Sequence, residues 1–180
     1  MIRIEVLDAE AIERGAGDLG TILLDCVEGG ASVSFMEGLS SHDAEAVYRE
    51  TADDVLAGHR LVLGGYIGEA LRGTVQVILA TPQNQPHRAE LSRLLVHRSA
   101  RWRGLGRALV LRAEREAAAR GKTLMCLDTT SGSLAERLYA GLGYQRVGVI
   151  PGYALHPNGI PSDAVFFWKN LPAQEALPAM

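Results

Sequence analysis

The chain has 180 residues, a hydrophobic share of 47%, a charged share of 22% and a net charge of −3 at pH 7, which is ordinary for one globular domain. The acidic balance argues against a nucleic-acid partner, for which a basic excess is typical, and no apolar run reaches the roughly 20 residues that span a membrane. Cys26 and Cys126 fit neither a metal spacing nor a disulfide framework, and the N-terminus lacks a signal-peptide pattern. We therefore expect a cytoplasmic, metal-free single domain over residues 1–171 and a disordered tail over 172–180.

Hydrophobic periodicity in the first 80 residues predicts a strand, two helices and a hairpin. The second helix begins with a Ser-x-x-Asp capping pattern at Ser40. A glycine-rich stretch between the helices is, on its residues alone, a linker. The predicted bounds are a strand over 2–7, a helix over 9–27, the linker Gly29–Phe35, a helix over 40–56, and a hairpin of 61–63 and 74–79 around a turn at 69–73.

The second half of the chain alternates strands and helices more regularly. The strand over 87–96 has polar residues at 88, 90 and 92 and apolar ones at 94 and 96. This pattern predicts a strand face that starts in a solvent-accessible site and ends in the core. A Ser-x-x-Glu capping box at Ser133 begins a short helix. The remaining predicted elements are a helix over 105–120, a buried strand over 124–128, a helix from 133 to about 143, and strands over 146–150 and 164–168 with a turn at 156–159.

A basic loop with two glycines, Arg101-Trp102-Arg103-Gly104-Leu105-Gly106-Arg107, joins a predicted strand to a predicted helix. The first turn of a helix has unpaired N–H groups and a partial positive charge, and glycines allow a close approach of the backbone, so this geometry can bind a phosphate. The dinucleotide and P-loop signatures are both missing. The loop alone therefore leaves open a plain strand–helix connection and an anion site.

Two carboxylates are candidates for proton transfer. Asp128 ends an apolar strand, where a carboxylate must be exposed or paired, and it either acts as a base, binds a substrate ammonium or caps the following turn. Glu90 lies on the polar half of its strand face, and it is either a rival base or an ion-pair partner of Arg88 or Arg93.

Two segments carry a resemblance to the GNAT acetyltransferase superfamily. The loop over 101–106 resembles the pyrophosphate loop Arg/Gln-x-x-Gly-x-Gly/Ala, and the stretch Ala135–Tyr144 resembles the family segment Ala-x-x-x-Tyr-x-x-x-Gly-Tyr/Phe. The resemblance covers roughly residues 60–169. It implies an α/β (α+β) fold with a mixed, mostly antiparallel central sheet of about six to seven strands flanked by about four helices.

A closer likeness is to the tabtoxin-resistance acetyltransferases, and it extends over most of the chain. The segments that carry it are Gly29-Gly30-Ala31-Ser32-Val33, Arg88-Ala89-Glu90, Ser99-Ala100-Arg101, Leu127-Asp128-Thr129 and Pro151-Gly152-Tyr153. Three positions depart from the family, which often has proline at Arg98, glycine at Trp102 and asparagine, a cofactor contact, at Gly132. A tryptophan at position 102 predicts an ordinary backbone angle there, with its ring on the cofactor or on the helix.

The resemblance implies an acetyl-CoA-dependent N-acetyltransferase that acts on a small amine, such as a toxin or an antibiotic, by direct attack on the thioester. Tyr139 is similar in position to the family's general acid, with Asp128 or Glu90 as the base. The other implied site residues are Leu94, Leu95, Val96, Arg101, Trp102, Arg103, Gly104, Leu105, Gly106 and Arg107 for the cofactor, and Gly30, Ala31, Ser32, Phe35, Asp128 and Tyr153 for the acceptor. The alternatives are acetylation of peptides and acyl-CoA binding without catalysis. The resemblance also implies a homodimer.

Overall fold

The computed structural model describes residues 1–172, so the tail predicted over 172–180 lies outside the described residues apart from residue 172. Within that part of the chain, seven strands form one sheet and four α-helices pack on it. The bounds are β1 Ile2–Leu7, α1 Ala9–Glu28, α2 Ser41–Leu56, β2 Arg60–Ile67, β3 Ala70–Ile78, β4 Arg88–Val96, a short 3₁₀ helix Arg98–Ala100, α3 Leu105–Ala118, β5 Leu124–Thr130, α4 Leu134–Gly141, β6 Gln145–Leu155 and β7 Pro161–Asn170.

The strands lie in the order β1-β2-β3-β4-β5-β7-β6, and every neighbouring pair is antiparallel except β4 with β5. The helices α1 and α2 bury one face of the sheet, with Tyr48 and Leu23 fully buried against Val62 and Leu95. A second core, which includes Leu105 of α3 and Tyr139 of α4, covers the other face. The predicted mixed, mostly antiparallel fold is confirmed.

Strands β4 and β5 separate after a short stretch of pairing. Their parallel ladder joins Arg88–Glu90 to Leu124–Cys126, and the two strands form no further pair with each other. The remaining length of both strands therefore diverges, and the backbone of β4 from Leu91 onward has no strand beside it on that edge. This opening in the middle of the sheet is where the candidate site lies.

A β-bulge in β4 corrects the predicted strand face. Ser92 pairs with Gln76, but Thr74 pairs with Leu95, so β4 has one residue more than β3 in this interval. A bulge reverses the alternation of side chains that follow it. Leu95 therefore faces the α1–α2 core, while Leu94 and Val96 pack with the α3–α4 core, and the prediction that 94 and 96 share the face of 88, 90 and 92 is wrong.

Local sequence signals set most of the element ends. The predicted caps are confirmed, because Ser40 Oγ accepts from Asp43 N at 3.1 Å and Ser133 Oγ accepts from Glu136 N at 3.1 Å. The hairpin differs from the prediction: Ile67 pairs with Ala70, so the turn is only Gly68-Glu69 and the strands are longer than expected. Strand β6 is also longer than expected, with Pro151–Tyr153 as an irregularity inside it.

Candidate active site

A cavity of about 730 Å³ lies where β4 and β5 diverge. Its walls come from the loop after α1, the β4 and β5 strands, α4 and the β6–β7 hairpin. The residues that line it are Ala31, Ser32, Val33, Ser34, Phe35, Met36, Arg60, Ile78, Glu90, Leu91, Ser92, Arg93, Leu94, Asp128, Thr129, Thr130, Ser133, Ala135, Tyr139, Tyr153, Ala154, Leu155, Ser162, Asp163 and Ala164. Arg60 and Ile78 add β2 and β3 to these walls, so side chains from seven strands and helices and from the loop after α1 meet at the place where the sheet opens.

The N-terminus of α3 has the geometry of an anion site. Gly104 is the N-cap residue with a φ of +83°, and no side chain caps the helix. The first intrahelical bond of this end is donated by Ala108 N to Gly104 O at 3.0 Å. The N–H groups of the first turn therefore point outward together with the positive end of the helix dipole, as anion binding requires.

The arginines of this loop have different environments. Arg101 Nε donates to Val96 O at 3.2 Å, which fixes the loop to the end of β4. Arg98 donates to both carboxylate oxygens of Asp25, at 2.7 Å from its backbone N and 2.8 Å from Nε. Arg103 and Arg107 are exposed beside the helix N-terminus. Arg103 and Arg107 form no ion pair among residues 1–172, so their charges remain available to attract an anion.

Trp102 has a backbone conformation that ordinary residues seldom adopt. Its φ is +65°, in the left-handed region, and its side chain is 84% exposed. The prediction of an ordinary backbone angle at this position is therefore wrong, and the ring does not pack on the helix. The loop preserves the left-handed turn that glycine usually provides and places a tryptophan in it, at a cost of roughly 1–2 kcal/mol.

The three residues predicted to hold the cofactor arm lie at the end of β4. Leu94 lines the cavity, whereas Leu95 is buried on the other face of the sheet. The Val96 carbonyl accepts from Arg101 and, at 3.5 Å, from the Cys26 thiol. Gly106 packs near Val96, since a Cβ there would lie in van der Waals contact with Leu138 Cδ2 at 3.5 Å and Val96 Cγ2 at 3.7 Å.

Tyr139 combines a buried ring with a place in the cavity wall. It is 4% exposed and lines the cavity, with its ring edge-on to Tyr144 at a centroid distance of 5.5 Å. Burial, with the nearby Asp128 carboxylate as a smaller cause, raises the pKa of its phenol. The hydroxyl is therefore protonated at neutral pH and can donate a proton but not accept one.

The two candidate bases lie on the two diverging strands. Partial burial, and then the charge of Glu90, raise the pKa of Asp128, which is still exposed to solvent, above its ordinary value of 3.8. Asp128 does not cap the following turn, because the Gly132 N–H donates to Glu136 Oε2 at 2.6 Å. Glu90 has the predicted ion pair, with Arg88 Nη1 at 3.4 Å. Asp128 and Glu90 are thus close enough to influence each other.

The predicted acceptor residues form a roof over the cavity. Ser32 Oγ donates to Leu155 O at 2.8 Å, and Glu37 N donates to Pro157 O at 3.0 Å, so the loop after α1 is bonded to the β6–β7 hairpin. Ala31, Ser32, Phe35 and Tyr153 line the cavity. Gly30, at φ +84°, only begins the loop and is not part of the wall. The glycine-rich stretch is therefore more than a linker.

Two cationic side chains of the cavity were not predicted as site residues. Arg93 lines it from the β4 bulge, and Arg60 reaches it from β2. In the sequence Arg93 lies inside the predicted strand over 87–96, and Arg60 directly precedes the one over 61–63, so neither belongs to a recognisable motif. Their convergence depends on the register of three strands, which no local pattern specifies.

The described part of the chain also sets limits on other kinds of site. Among residues 1–172, no three His, Cys, Asp or Glu side chains are grouped as a metal would need. No helix in that range has the length and apolar character to cross a membrane.

Comparison with known proteins decides the family. The model of the GNAT acetyltransferase family matches residues 32–144. The chain belongs to the GNAT family. The match includes the α3 loop, Asp128 and Tyr139, which are the residues around the opening of the sheet. GNAT enzymes use acetyl-CoA and act on amines, so the prediction of an N-acetyltransferase is confirmed.

Solved GNAT structures share the whole architecture. One from Salmonella typhimurium, assigned as an acetyltransferase and determined with acetyl-CoA, has a TM-score of 0.77 at 22% identity, over 99% of this chain and 98% of its own. A ribosomal-protein-alanine N-acetyltransferase from Brucella melitensis has a TM-score of 0.75 at 22% identity, over 95% and 99%. A protein assigned as a phosphinothricin N-acetyltransferase has a TM-score of 0.76 at 15% identity, over 96% and 99%. At these identities the likeness concerns the fold.

Proposed function

We propose that this GNAT enzyme transfers the acetyl group of acetyl-CoA to the amine of a small molecule by direct attack on the thioester. The observation that supports this most is the position of a buried tyrosine and two carboxylates around one roofed cavity, at the point where β4 and β5 diverge. The residues involved are Tyr139, Asp128 and Glu90.

The α3 loop and the free edge of β4 fit acetyl-CoA. The uncapped helix N-terminus with Gly104 at φ +83° offers several N–H groups to a pyrophosphate, from Trp102 to Arg107. The edge of β4 over Leu94–Val96 has backbone groups without a strand partner on the β5 side, and one N–H can stabilise charge on the carbonyl oxygen. When bound, acetyl-CoA supplies the activated acetyl group and a thiolate leaving group.

The cavity residues can move the two protons of the reaction. An alkyl ammonium must lose a proton before its nitrogen forms the new C–N bond. Asp128 or Glu90 accepts that proton, directly or through water, and the raised pKa of Asp128 makes it a stronger base than an ordinary aspartate. As the C–S bond breaks, the Tyr139 hydroxyl gives its proton to the sulfur, and the second proton that the nitrogen loses on becoming an amide returns the tyrosine to its neutral form.

The roof favours a small acceptor over a peptide. A peptide substrate needs an open groove, but the loop after α1 is hydrogen-bonded across the cavity to the β6–β7 hairpin through Ser32 and Glu37. Amino-acid-like toxins and antibiotics belong to the proposed acceptors, because the segments similar to the tabtoxin-resistance enzymes, Ala31–Val33 and Tyr153, form part of this wall.

The test is thiol release from acetyl-CoA with three matched acceptor sets: free amino acids and simple amines, dipeptides, and peptides of eight or more residues. We expect turnover with the first set and a loss of kcat/KM as the acceptor lengthens. Equal or better turnover of long peptides contradicts the small-molecule proposal. Acetyl-CoA binding without thiol release in all three sets identifies a binding module instead.

We also propose that two copies associate through β6. This edge strand is 11 residues long, and Val147, Val149 and Ile150 expose apolar side chains along it. An exposed apolar edge is a ready pairing surface, and antiparallel pairing of identical strands is compatible with two-fold symmetry. Light scattering should give twice the mass of one chain, and Val149→Lys should reduce it. A monomer at all concentrations contradicts the proposal.

A cytoplasmic location agrees with the chemistry of the chain. Cys26 and Cys126 are both free thiols, as is usual in a reducing compartment, and acetyl-CoA is the expected cosubstrate. Fractionation of the cells that make the protein, with a compartment marker for each fraction, tests this location.

A further inference from the structure

The cavity presents charges of both signs to one acceptor. Glu90 and Asp128 can attract an ammonium group, but Arg60 and Arg93 line the same space. A cation beside the site of an incoming ammonium disfavours binding unless the ligand also carries a negative charge. Acetyl transfer itself does not need these two arginines, so their presence indicates a property of the acceptor.

Arg93 has no anionic partner in the described structure. Its guanidinium is half-buried, and it forms neither a salt bridge nor a side-chain hydrogen bond with any of residues 1–172. Its only specific contact there is with Phe35, whose ring centroid lies 5.3 Å from Cζ. Arginine stays charged even when burial lowers its pKa, as it does here. A partly desolvated cation without a counter-ion is stabilised when an anion binds.

The bulge in β4 holds this side chain in place. Arg93 has a φ of +47°, which is uncommon for a residue other than glycine and is typical of functional sites. Glu90 lies three residues earlier, so the two Cα atoms are at most about 10 Å apart on the strand. One short molecule can therefore reach a carboxylate and a guanidinium together.

Further hydrogen-bond donors surround Arg93. Arg60 Nη1 donates to Gln76 Oε1 at 2.8 Å, while Asp54 Oδ2 accepts from Arg60 Nε at 3.0 Å. This leaves Gln76 Nε2, a fully buried donor, without a partner in the described residues. The Ser92 hydroxyl beside it, directly across the strand pair, is also unpartnered. Ser92, the residue before Arg93, thus adds an unpartnered hydroxyl to the cavity wall, whereas Gln76 is not part of the wall.

We propose that the acceptor is a small zwitterion, an amine that also carries a carboxylate, and that Arg93 determines this specificity by binding the carboxylate. The proposal rests on the proposed function, because it assigns the acceptor of that same site. Glu90 and Asp128 bind the amine end, and Arg93 binds the acid end with the support of Arg60.

A comparison of matched acceptors tests this. Amino acids and the corresponding amino-acid amides have the same amine and side chain but differ in the negative charge. We expect wild-type kcat/KM to favour the acids, and Arg93→Met to lower kcat/KM for the acids by about 30-fold or more, mainly through KM, because one partner of an enclosed charge pair is lost. The amides should change by only a few-fold, and Arg93→Lys should restore part of the preference.

Two controls separate this role from a structural one. Phe35→Leu removes the ring contact of Arg93 but not its charge, so the preference for acids should persist. Arg72→Met removes another half-buried strand arginine that lies outside the cavity, and it should leave the preference intact. Equal losses for acids and amides in Arg93→Met would show that Arg93 only supports the roof and would overturn the proposal.

The outcomes also separate this inference from the proposed function. Turnover of small amines without any preference for acids contradicts the zwitterionic acceptor alone. Turnover of long peptides but of no small amine contradicts both.

Discussion

The cofactor side and the acceptor side of this site are built from different parts of the chain. The proposed cofactor side is one contiguous stretch, 94–107, that acts mainly through backbone N–H groups at the end of β4 and the start of α3. The acceptor side consists of side chains from seven strands and helices and one loop that are far apart in the sequence. The first is specified by local backbone geometry and the second by the register of the whole sheet.

This difference has a physical consequence for mutations. A backbone site tolerates changes of side chain but not changes of φ, whereas a side-chain site responds to the loss of a single functional group. In the α3 loop, two residues, Trp102 and Gly104, must adopt a left-handed φ. The acceptor cavity has instead a set of charged and hydroxyl groups, each with its own chemical role.

The largest effect should come from the proposed proton donor. Tyr139→Phe removes only the hydroxyl, so we expect kcat to fall by about 10²- to 10⁴-fold, as for other general acids, with an unchanged dissociation constant for acetyl-CoA. Tyr144→Phe is the matched control, since this neighbouring buried tyrosine does not line the cavity. Similar kcat values for both variants would remove Tyr139 from the chemistry.

The next effect concerns Asp128, where activity and stability should change in opposite directions. Asp128→Asn removes a proposed base and should lower kcat/KM by about 10²-fold. The raised pKa in the folded state means that folded Asp128 binds its proton more tightly than the unfolded chain does. Stability therefore falls as the pH rises through that raised pKa.

Asp128→Asn should not lose stability as the pH rises through this range. Its melting temperature at pH 7 should exceed that of the wild type, and the difference should vanish as the pH is lowered toward 3.8, the ordinary value. Thermal denaturation at several pH values measures both. A less stable variant at pH 7 would mean that Asp128 forms a favourable contact there.

The same contrast explains what could be predicted from the sequence. The strand–loop–helix around Gly104 was predictable because its signals are local: an apolar strand, glycines and an amphipathic helix within about one supersecondary unit. The bulge at Arg93 was not, because nothing in Ser92-Arg93-Leu94-Leu95 identifies an extra residue; it exists only relative to β3. The wrong face assigned to Leu94 and Val96 follows from that one position.

The roof over the cavity was predictable only in part. The glycines of Gly29–Phe35 indicated a loop, but the bond of Ser32 to Leu155 spans 123 positions, and no periodicity reports contacts of that range. The likeness to the tabtoxin-resistance enzymes pointed to Ala31, Ser32, Phe35 and Tyr153 as acceptor residues, and all four line the cavity.

A smaller effect is expected on the cofactor side. Gly104→Ala places a Cβ in open space but at φ +83°, so its only penalty is backbone strain of roughly 1–2 kcal/mol. If the free loop relaxes out of this conformation, acetyl-CoA must restore it, and its affinity should fall by about 5- to 30-fold. Arg103→Ala, a side-chain change in the same exposed loop, should cost less and lose its effect at high salt. Calorimetry at two salt concentrations measures both, and a larger effect of Arg103→Ala would mean that charge dominates the loop.

The smallest effect should be a gain in stability at Trp102. Trp102→Gly relieves roughly 1–2 kcal/mol of left-handed strain. It removes almost no buried apolar surface, because the ring is 84% exposed. The greater freedom of glycine in the unfolded chain offsets about 0.4–1 kcal/mol of this, so the net gain should stay below about 1.5 kcal/mol. Arg103→Gly is the matched control and should lower stability. Arg103 does not have a positive φ, so glycine relieves no strain there and only increases the entropy of the unfolded chain. Denaturant unfolding distinguishes the two. If Trp102→Gly instead destabilises the chain, left-handed strain at this position is not what limits stability. If it weakens acetyl-CoA binding, the exposed ring is part of the cofactor site, which then depends on side chains as well as on the backbone.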